Sequence, residues 1–380
     1  MKRVIIIGAS YAGLYAVKNF SECKNIEVVL FDKNEYHYIQ VESYSFVSTS
    51  QNIDDVTINI SQYIKSLNKN INFYNEKIDY FDSELNEVIT DKNIKYSYDY
   101  LIIATGSLTN FPIQVPNIKE YSIGIKTLQS AVKVERLFSS LIKNKNKKFN
   151  IVIGGAGLSG IEVATEMAAI IKDKFHNMKD NNLEINIIIV DGMKTVLPNM
   201  DDRLVRACEK RLDELNVKTY LGSFITDVDK NKIYLTNETV VDYDYFIFTG
   251  GIKAVTINSN KNHDVNKLNQ YIVNQNLKMR NEKNIFVIGD AAEITLNDKY
   301  FAPTAQLAIQ SGEYVSKYIQ NELSFKYTEK FNPKSNGVLI SLGGKYGIGL
   351  VFNKLFIKGY VAFLLKNFVT YMHKIKFIMK

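Results

Sequence analysis

One phrase occurs twice in this chain, and it constrains the fold more than any other feature. "RVIIIG" (3–8), "ASYAGLYAVKNF" (9–20) and "IEVVLFD" (26–32) read as strand, glycine-rich turn, helix and strand. The same grammar returns in "FNIVIGG" (149–155), "AGLSGIEVATEMAAII" (156–171) and "INIIIVD" (185–191). Each copy is answered further along by a second matching phrase, "YDYLIIATGS" (98–107) and "YDYFIFTGG" (243–251). Short continuous runs of branched apolar residues are what strands buried on both faces require. A repeat of this length means two related α/β units. A third apolar strand, "NIFVIGDAA" (284–292), has no second half of its own and most simply returns the chain to the first unit. The expected architecture is α/β: two Rossmann-like dinucleotide-binding domains, the second (112–261) inserted in the first (1–111 and 262–325). A C-terminal module follows at 326–380.

The chemistry of such turns is electrostatic. Glycines between a strand and a helix let backbone N–H groups and the positive helix end approach a pyrophosphate. Gly8, Ser10 and Gly13 hold the three positions of the first turn, with Ser10 in place of the middle glycine. Gly155, Gly157 and Gly160 fill all three in the second, and Glu162 follows at once. Asp32 and Asp191 end the next strands, where a carboxylate meets a ribose hydroxyl. At Asp191 that charge repels a 2′-phosphate and favours NADH over NADPH. Its longer separation from Gly160 is explained by a longer helix and the "HNMKDNN" loop (176–182).

Other chemistries are excluded. Cys23 and Cys208 form no C-x-x-C pair, which removes a dithiol mechanism, and Cys23 reads as a core residue of the first helix. Four scattered histidines carry no ligand spacing, so no metal is expected. The N-terminal apolar run is too short for a signal peptide, and no stretch suits a spanning helix.

Charge concentrates at one end. The chain carries +7, yet residues 330–380 hold nine lysines and no acid, leaving −2 for the remainder. Within 354–380, Ile357, Val361, Leu364, Phe368, Tyr371, Ile375 and Ile378 recur at alternating spacings of four and three, an apolar helical stripe. Lys354, Lys358, Lys366, Lys376 and Lys380 fall on another sector, and Gly359 can delay the helix start. That reads as an interfacial helix on an anionic leaflet, against the alternative of packing on its own domain or a dimer mate. Nothing pairs the basic tail with a nucleic-acid-reading motif. In "APTAQLAIQSG" (302–312), Pro303 and Thr304 mark a helix start, and Gln306 and Gln310 share one face. Alone, such a pair most often satisfies nearby backbone.

The order of these motifs resembles the two-dinucleotide-binding-domain flavoproteins, over residues 1–325. Closer phrases, "NEYHYIQVESYSFVS" (34–48), "FTGGIKA" (248–254) and "APTAQLAIQSGEYVSKYI" (302–319), look like type II NADH:quinone oxidoreductases. The resemblance implies FAD at the first turn, with Ala104, Thr105 and Gly106, Gly289 and Asp290, and Ala305, and Asp290 on the ribityl chain. It implies NADH at the second turn, with Gly250 and Gly251. Glu162 would lie near the nicotinamide, and Ala305, Gln306, Ala308 and Gln310 match the AQxAxQ quinone motif. A homodimer, peripheral on the cytoplasmic face of the bacterial inner membrane, is implied as well. Departures fall at Gln40, Glu42 and Ser43, and at Phe363, which precedes Lys366 where the family usually has Trp before Lys. The expected activity is non-proton-pumping transfer from NADH through FAD to a membrane quinone, with Lys366 offered as proton donor. The alternatives are a soluble reductase of a small redox protein and a non-catalytic NADH-responsive flavoprotein.

Overall fold

Both copies of the repeated phrase become parallel sheets. The computed structural model describes residues 1–49, 51–67, 70–143, 148–175, 184–296 and 298–378; the "HNMKDNN" loop and Lys380 lie outside them. In the first sheet the order is Ile285–Val287, Tyr100–Ile103, Lys2–Ile7, Ile26–Phe31 and Ile71–Tyr74, all parallel. "NIFVIG" therefore does rejoin the first unit, beside the "YLII" strand. The second sheet runs Lys218–Leu221, Glu184–Asp191, Lys148–Gly154 and Tyr245–Phe248. Val4, Ile5 and Ile6 in one and Val152 and Ile153 in the other are wholly buried, as strands covered on both faces must be.

The duplication goes further than the phrases. Each unit carries a three-stranded antiparallel meander, Ile78–Asp82 with Glu87–Thr90 and Lys95–Ser97, and Ile225–Val228 with Lys232–Leu235 and Val240–Asp242. The chain crosses between units on an antiparallel ladder, Ser107–Thr109 against Ile252–Ala254. Asn258–Ser259 then pairs with Tyr80 and Phe81, so the chain is already in the first unit's meander before residue 262.

The glutamine helix spans Ala305–Leu323. Thr304 caps it, its Oγ1 accepting from the Leu307 N–H at 3.1 Å. It lies along the first helix, Tyr11–Phe20, so closely that a Cβ on Gly312 would run into the Ala12 carbonyl. Beyond it, Gly337–Ser341, Gly347–Val351 and Leu355–Gly359 form an antiparallel sheet, and a helix covers Tyr360–Ile378. This corrects the extent of the apolar stripe. Ile357 pairs with Gly349 in the ladder, and Gly359, at φ +75°, turns strand into helix.

Candidate active site

Both glycine-rich turns are built from the same bonds. The Gly8 N–H donates to the Phe31 carbonyl and the Gly155 N–H to that of Val190, each at 2.8 Å. Asp32 accepts from the Ala9 and Asn34 N–H groups at 2.7 and 2.8 Å; Asp191 accepts from those of Ala156 and Met193, both at 2.6 Å. The two acids thus brace the turns in which they were expected to meet a ribose, and burial raises the Asp32 carboxyl above its ordinary range against those bonds. Close packing fixes the outer glycines. A Cβ on Gly13 would strike the Gly8 carbonyl, and one on Gly160 the Gly155 carbonyl. The middle position differs, because a Cβ on Gly157 would meet nothing within 4 Å. That open space explains how Ser10 stands at the matching place in the first turn. Gly106 also opens onto free space, at φ +67°, after Ala104 and Thr105 at the end of the "YLII" strand. Both cradles therefore fit a dinucleotide: donors at a helix start, with room in front of them.

Between the units stands Asp290. It accepts from the Ser107 hydroxyl at 2.6 Å and pairs with Lys126 Nζ at 3.1 Å, beside the positive-φ Gly289. Lys126 was not singled out by the sequence, because no motif carries it. Its main chain accepts from Gln40 at 3.2 Å, which gives one of the departures from the family pattern a role.

The second polar centre collects four separated parts of the chain. Glu162 lies near the start of the helix Leu158–Phe175; it accepts from the Ser341 N–H at 3.0 Å and pairs with Lys366 of the C-terminal helix. Both side chains are largely buried, and Lys366 Nζ sits 4.2 Å from the centre of the Tyr44 ring. This corrects the placement of Lys366 among membrane-facing lysines. Burial lifts the Glu166 carboxyl to about 7, against the Gly344 main-chain bond and the Lys366 charge. Glu42 is also buried and raised, against Lys374, Lys366 and Thr370. Lys366 thus pairs with Glu162 and lends its charge to Glu166 and Glu42, the last of which feels Lys374 more strongly. Glu166 was not singled out by the sequence, although its place four after Glu162 puts both on one helix face; Glu42 was named only as a departure.

The glutamine pair divides. Gln310 donates to the Lys334 carbonyl at 2.9 Å and accepts from the Lys334 N–H at 2.8 Å, so its amide holds a loop. Gln310 thus satisfies nearby backbone, the ordinary role of such a pair. Among the described residues Gln306 has no side-chain hydrogen-bond partner, and it is half-buried.

The C-terminal helix turns its polar side inward. Lys366, Thr370 and His373 are buried with Ala362 and Phe377, whereas Tyr360, Val361, Leu364, Phe368, Val369, Tyr371 and Met372 are exposed. Inside, His373 meets Tyr15 at 3.3 Å and His37 at 3.4 Å. Desolvation lowers the two imidazoles to about 4 and 3. No helix among the described residues is long and apolar enough to cross a membrane. No cluster of metal-ligating side chains occurs among them either.

Two nucleotide cradles on duplicated parallel sheets define a class. The family model described as pyridine nucleotide-disulphide oxidoreductase matches residues 2–312, and the chain belongs to that family. Within it, the chain is similar to the type II NADH:quinone oxidoreductases of Staphylococcus aureus strains MSSA476 and NCTC 8325 / PS 47. Each is 27% identical to it over 386 residues, covering 96% of this chain and 93% of the relative. In fold it is similar to NDH2 from Plasmodium falciparum in complex with NADH (TM-score 0.85, 20% identity, 97% of this chain and 94% of that one). It is also similar to the sulfide:quinone oxidoreductase of Aquifex aeolicus (TM-score 0.84, 19% identity, 99% and 91%). The disulphide in the family's description has no counterpart here. Burial pushes the Cys208 thiol up to about 12 and raises Cys23, so neither is a ready thiolate.

Proposed function

We propose that the protein is a non-proton-pumping NADH:quinone oxidoreductase, with FAD at the Gly8–Gly13 turn and NADH at the Gly155–Gly160 turn. The observation that carries this reading is the C-terminal helix: one side brings Lys366 onto Glu162, and the other offers an apolar surface to a bilayer. Bound FAD would accept a hydride from NADH and pass two electrons on to the acceptor. The chain's own residues bind, orient and supply a proton. Gly8, Ser10 and Gly13, with Asp32, Ala104, Thr105, Gly106, Gly289, Asp290 and Ala305, line the FAD site. Gly155, Gly157, Gly160, Asp191, Gly250 and Gly251 line the NADH site. Lys126 keeps Asp290 paired, and Gln306 is the amide left to meet an acceptor carbonyl.

Quinol formation consumes the hydride of NADH and one further proton. The cluster of Glu42, Glu162 and Glu166 around Lys366 suits that demand, because a carboxyl near 7 holds a proton at working pH and can release it. The exposed apolar face with Lys354, Lys358 and Lys376 supports docking on an anionic leaflet. We place it on the cytoplasmic face of a bacterial inner membrane, as a homodimer that sedimentation would reveal.

Steady-state oxidation of NADH by the flavin-loaded chain with a short-chain quinone tests the activity. Turnover with a small redox protein but not with quinone would reject it. Deleting the tail is a poor control, since it also takes Lys366 from Glu162. Charges placed on the exposed face test the membrane reading cleanly.

A further inference from the structure

One large aromatic beside the second cradle is left uncovered. Phe224 follows the edge strand Lys218–Leu221, and its ring is 63% exposed. Its main chain is held on both sides: its N–H donates to Thr236 Oγ1 at 3.1 Å and its carbonyl accepts from the Thr236 N–H at 2.9 Å. The ring lies over Gly192, next to Asp191, so that a Cβ on Gly192 would overlap it. The Ser223 N–H reaches the Asp191 carbonyl at 3.3 Å, and the Gly222 N–H donates to the Met193 carbonyl at 2.8 Å. Met193, the residue after Gly192, is itself 43% exposed. These residues stand at the carboxyl ends of two adjacent parallel strands, where open α/β sheets take their ligands.

An aromatic ring on a fixed backbone, next to the strand-end acid of the cradle, presents a flat apolar face that suits stacking against a planar group. Resting on the assignment of NADH to this cradle, we propose that the Phe224 ring is the platform on which the adenine base stacks, with Gly192 required beneath it. Asp191 then binds the adjoining ribose, and the base is recognised by its face rather than its edge. A ring already seated over Gly192 also leaves no place there for a longer side chain that could reach a 2′-phosphate.

The test uses the flavin-loaded full chain. Calorimetric titration with ADP-ribose should show affinity falling about ten-fold in Phe224→Ala, the scale of one base–aromatic stack, and recovering in Phe224→Tyr. The rate of flavin reduction by reduced nicotinamide mononucleotide, which lacks adenine, should not change. Unaltered ADP-ribose affinity in Phe224→Ala would overturn the proposal, as would equal losses with both nucleotides. Failure of the unaltered chain to bind ADP-ribose would instead remove the NADH assignment, and this inference with it. Because the ring is mostly exposed, Phe224→Ala should melt at the same temperature as the unaltered chain, which keeps its binding result interpretable.

Discussion

Two nineteen-residue helices in the last third of the chain have opposite insides. Ala305–Leu323 buries Leu307, Ala308, Val315 and Ile319 and follows the usual rule. Tyr360–Ile378 buries Lys366, Thr370 and His373 and turns Leu364, Phe368 and Tyr371 outward. Hydrophobic burial places the first. The second is held by an ion pair, hydrogen bonds and ring contacts to Tyr11, Tyr15, Tyr63 and His37. The contrast teaches that periodicity reports a helix's apolar side without saying whether protein or lipid will cover it.

The hardest test of that contrast is Lys366→Met. It takes from Glu162 its paired cation and from Glu166 a nearby positive charge, while Glu42 keeps Lys374, and removing one partner of a buried pair costs about 3–5 kcal/mol. Urea unfolding should show the loss at pH 8 and a smaller one near pH 6. The sign follows from Glu166: its folded value, about 7, stands above its ordinary one, so the folded state holds the extra proton. Stability from that proton is lost as pH rises through about 7, and without Lys366 the loss extends further upward.

Leu364→Glu with Phe368→Glu should act in the reverse way. Each exposed apolar side chain is worth roughly 1.5–3 kcal/mol when a bilayer covers it, so binding to anionic vesicles should drop about 100-fold or more. The melting temperature should hardly move. A melting temperature that falls sharply would mean the face packs on protein.

In the conventional helix the sensitive point is Gly312. Gly312→Ala drives a methyl into the Ala12 backbone, and overpacking of this kind costs about 1–3 kcal/mol by urea midpoint.

Acid probes the inverted helix again. His37 and His373 have folded values well below the unfolded 6.5, so their neutral forms support the fold above that pH. Stability falls as pH drops from 6.5 toward 4, because the unfolded chain takes protons that the folded one refuses. Replacing His37 by Leu should recover about 1.4 kcal/mol of the loss between pH 7 and 5.5. The smallest effect is expected at Gln310→Leu. Two partly exposed hydrogen bonds to Lys334 are lost, about 1 kcal/mol, with flavin reduction by NADH unchanged.

Much of this molecule was legible beforehand. Gly8, Gly13, Gly155 and Gly160 announce turns that only glycine can make, because backbone passes where a Cβ would stand. Asp32 and Asp191 were legible as strand-end acids, although not as braces for the turns themselves. The Gln310 contact was not, since its partner at Lys334 lies in a loop without pattern. Lys126 on Asp290 and Glu42 beside Lys366 were equally hidden: each pair joins segments far apart in sequence, and no local spacing records such a meeting.

What the sequence by itself determined is the repeated strand–turn–helix grammar and, with it, two nucleotide cradles. Steric limits on backbone act over a few residues and leave a local signature. Only the tertiary structure decided that Glu162, Glu166, Glu42 and Lys366 share one buried site, and which side of the last helix faces out. Those outcomes depend on charge and burial summed across distant elements, which the order of residues along one helix does not contain.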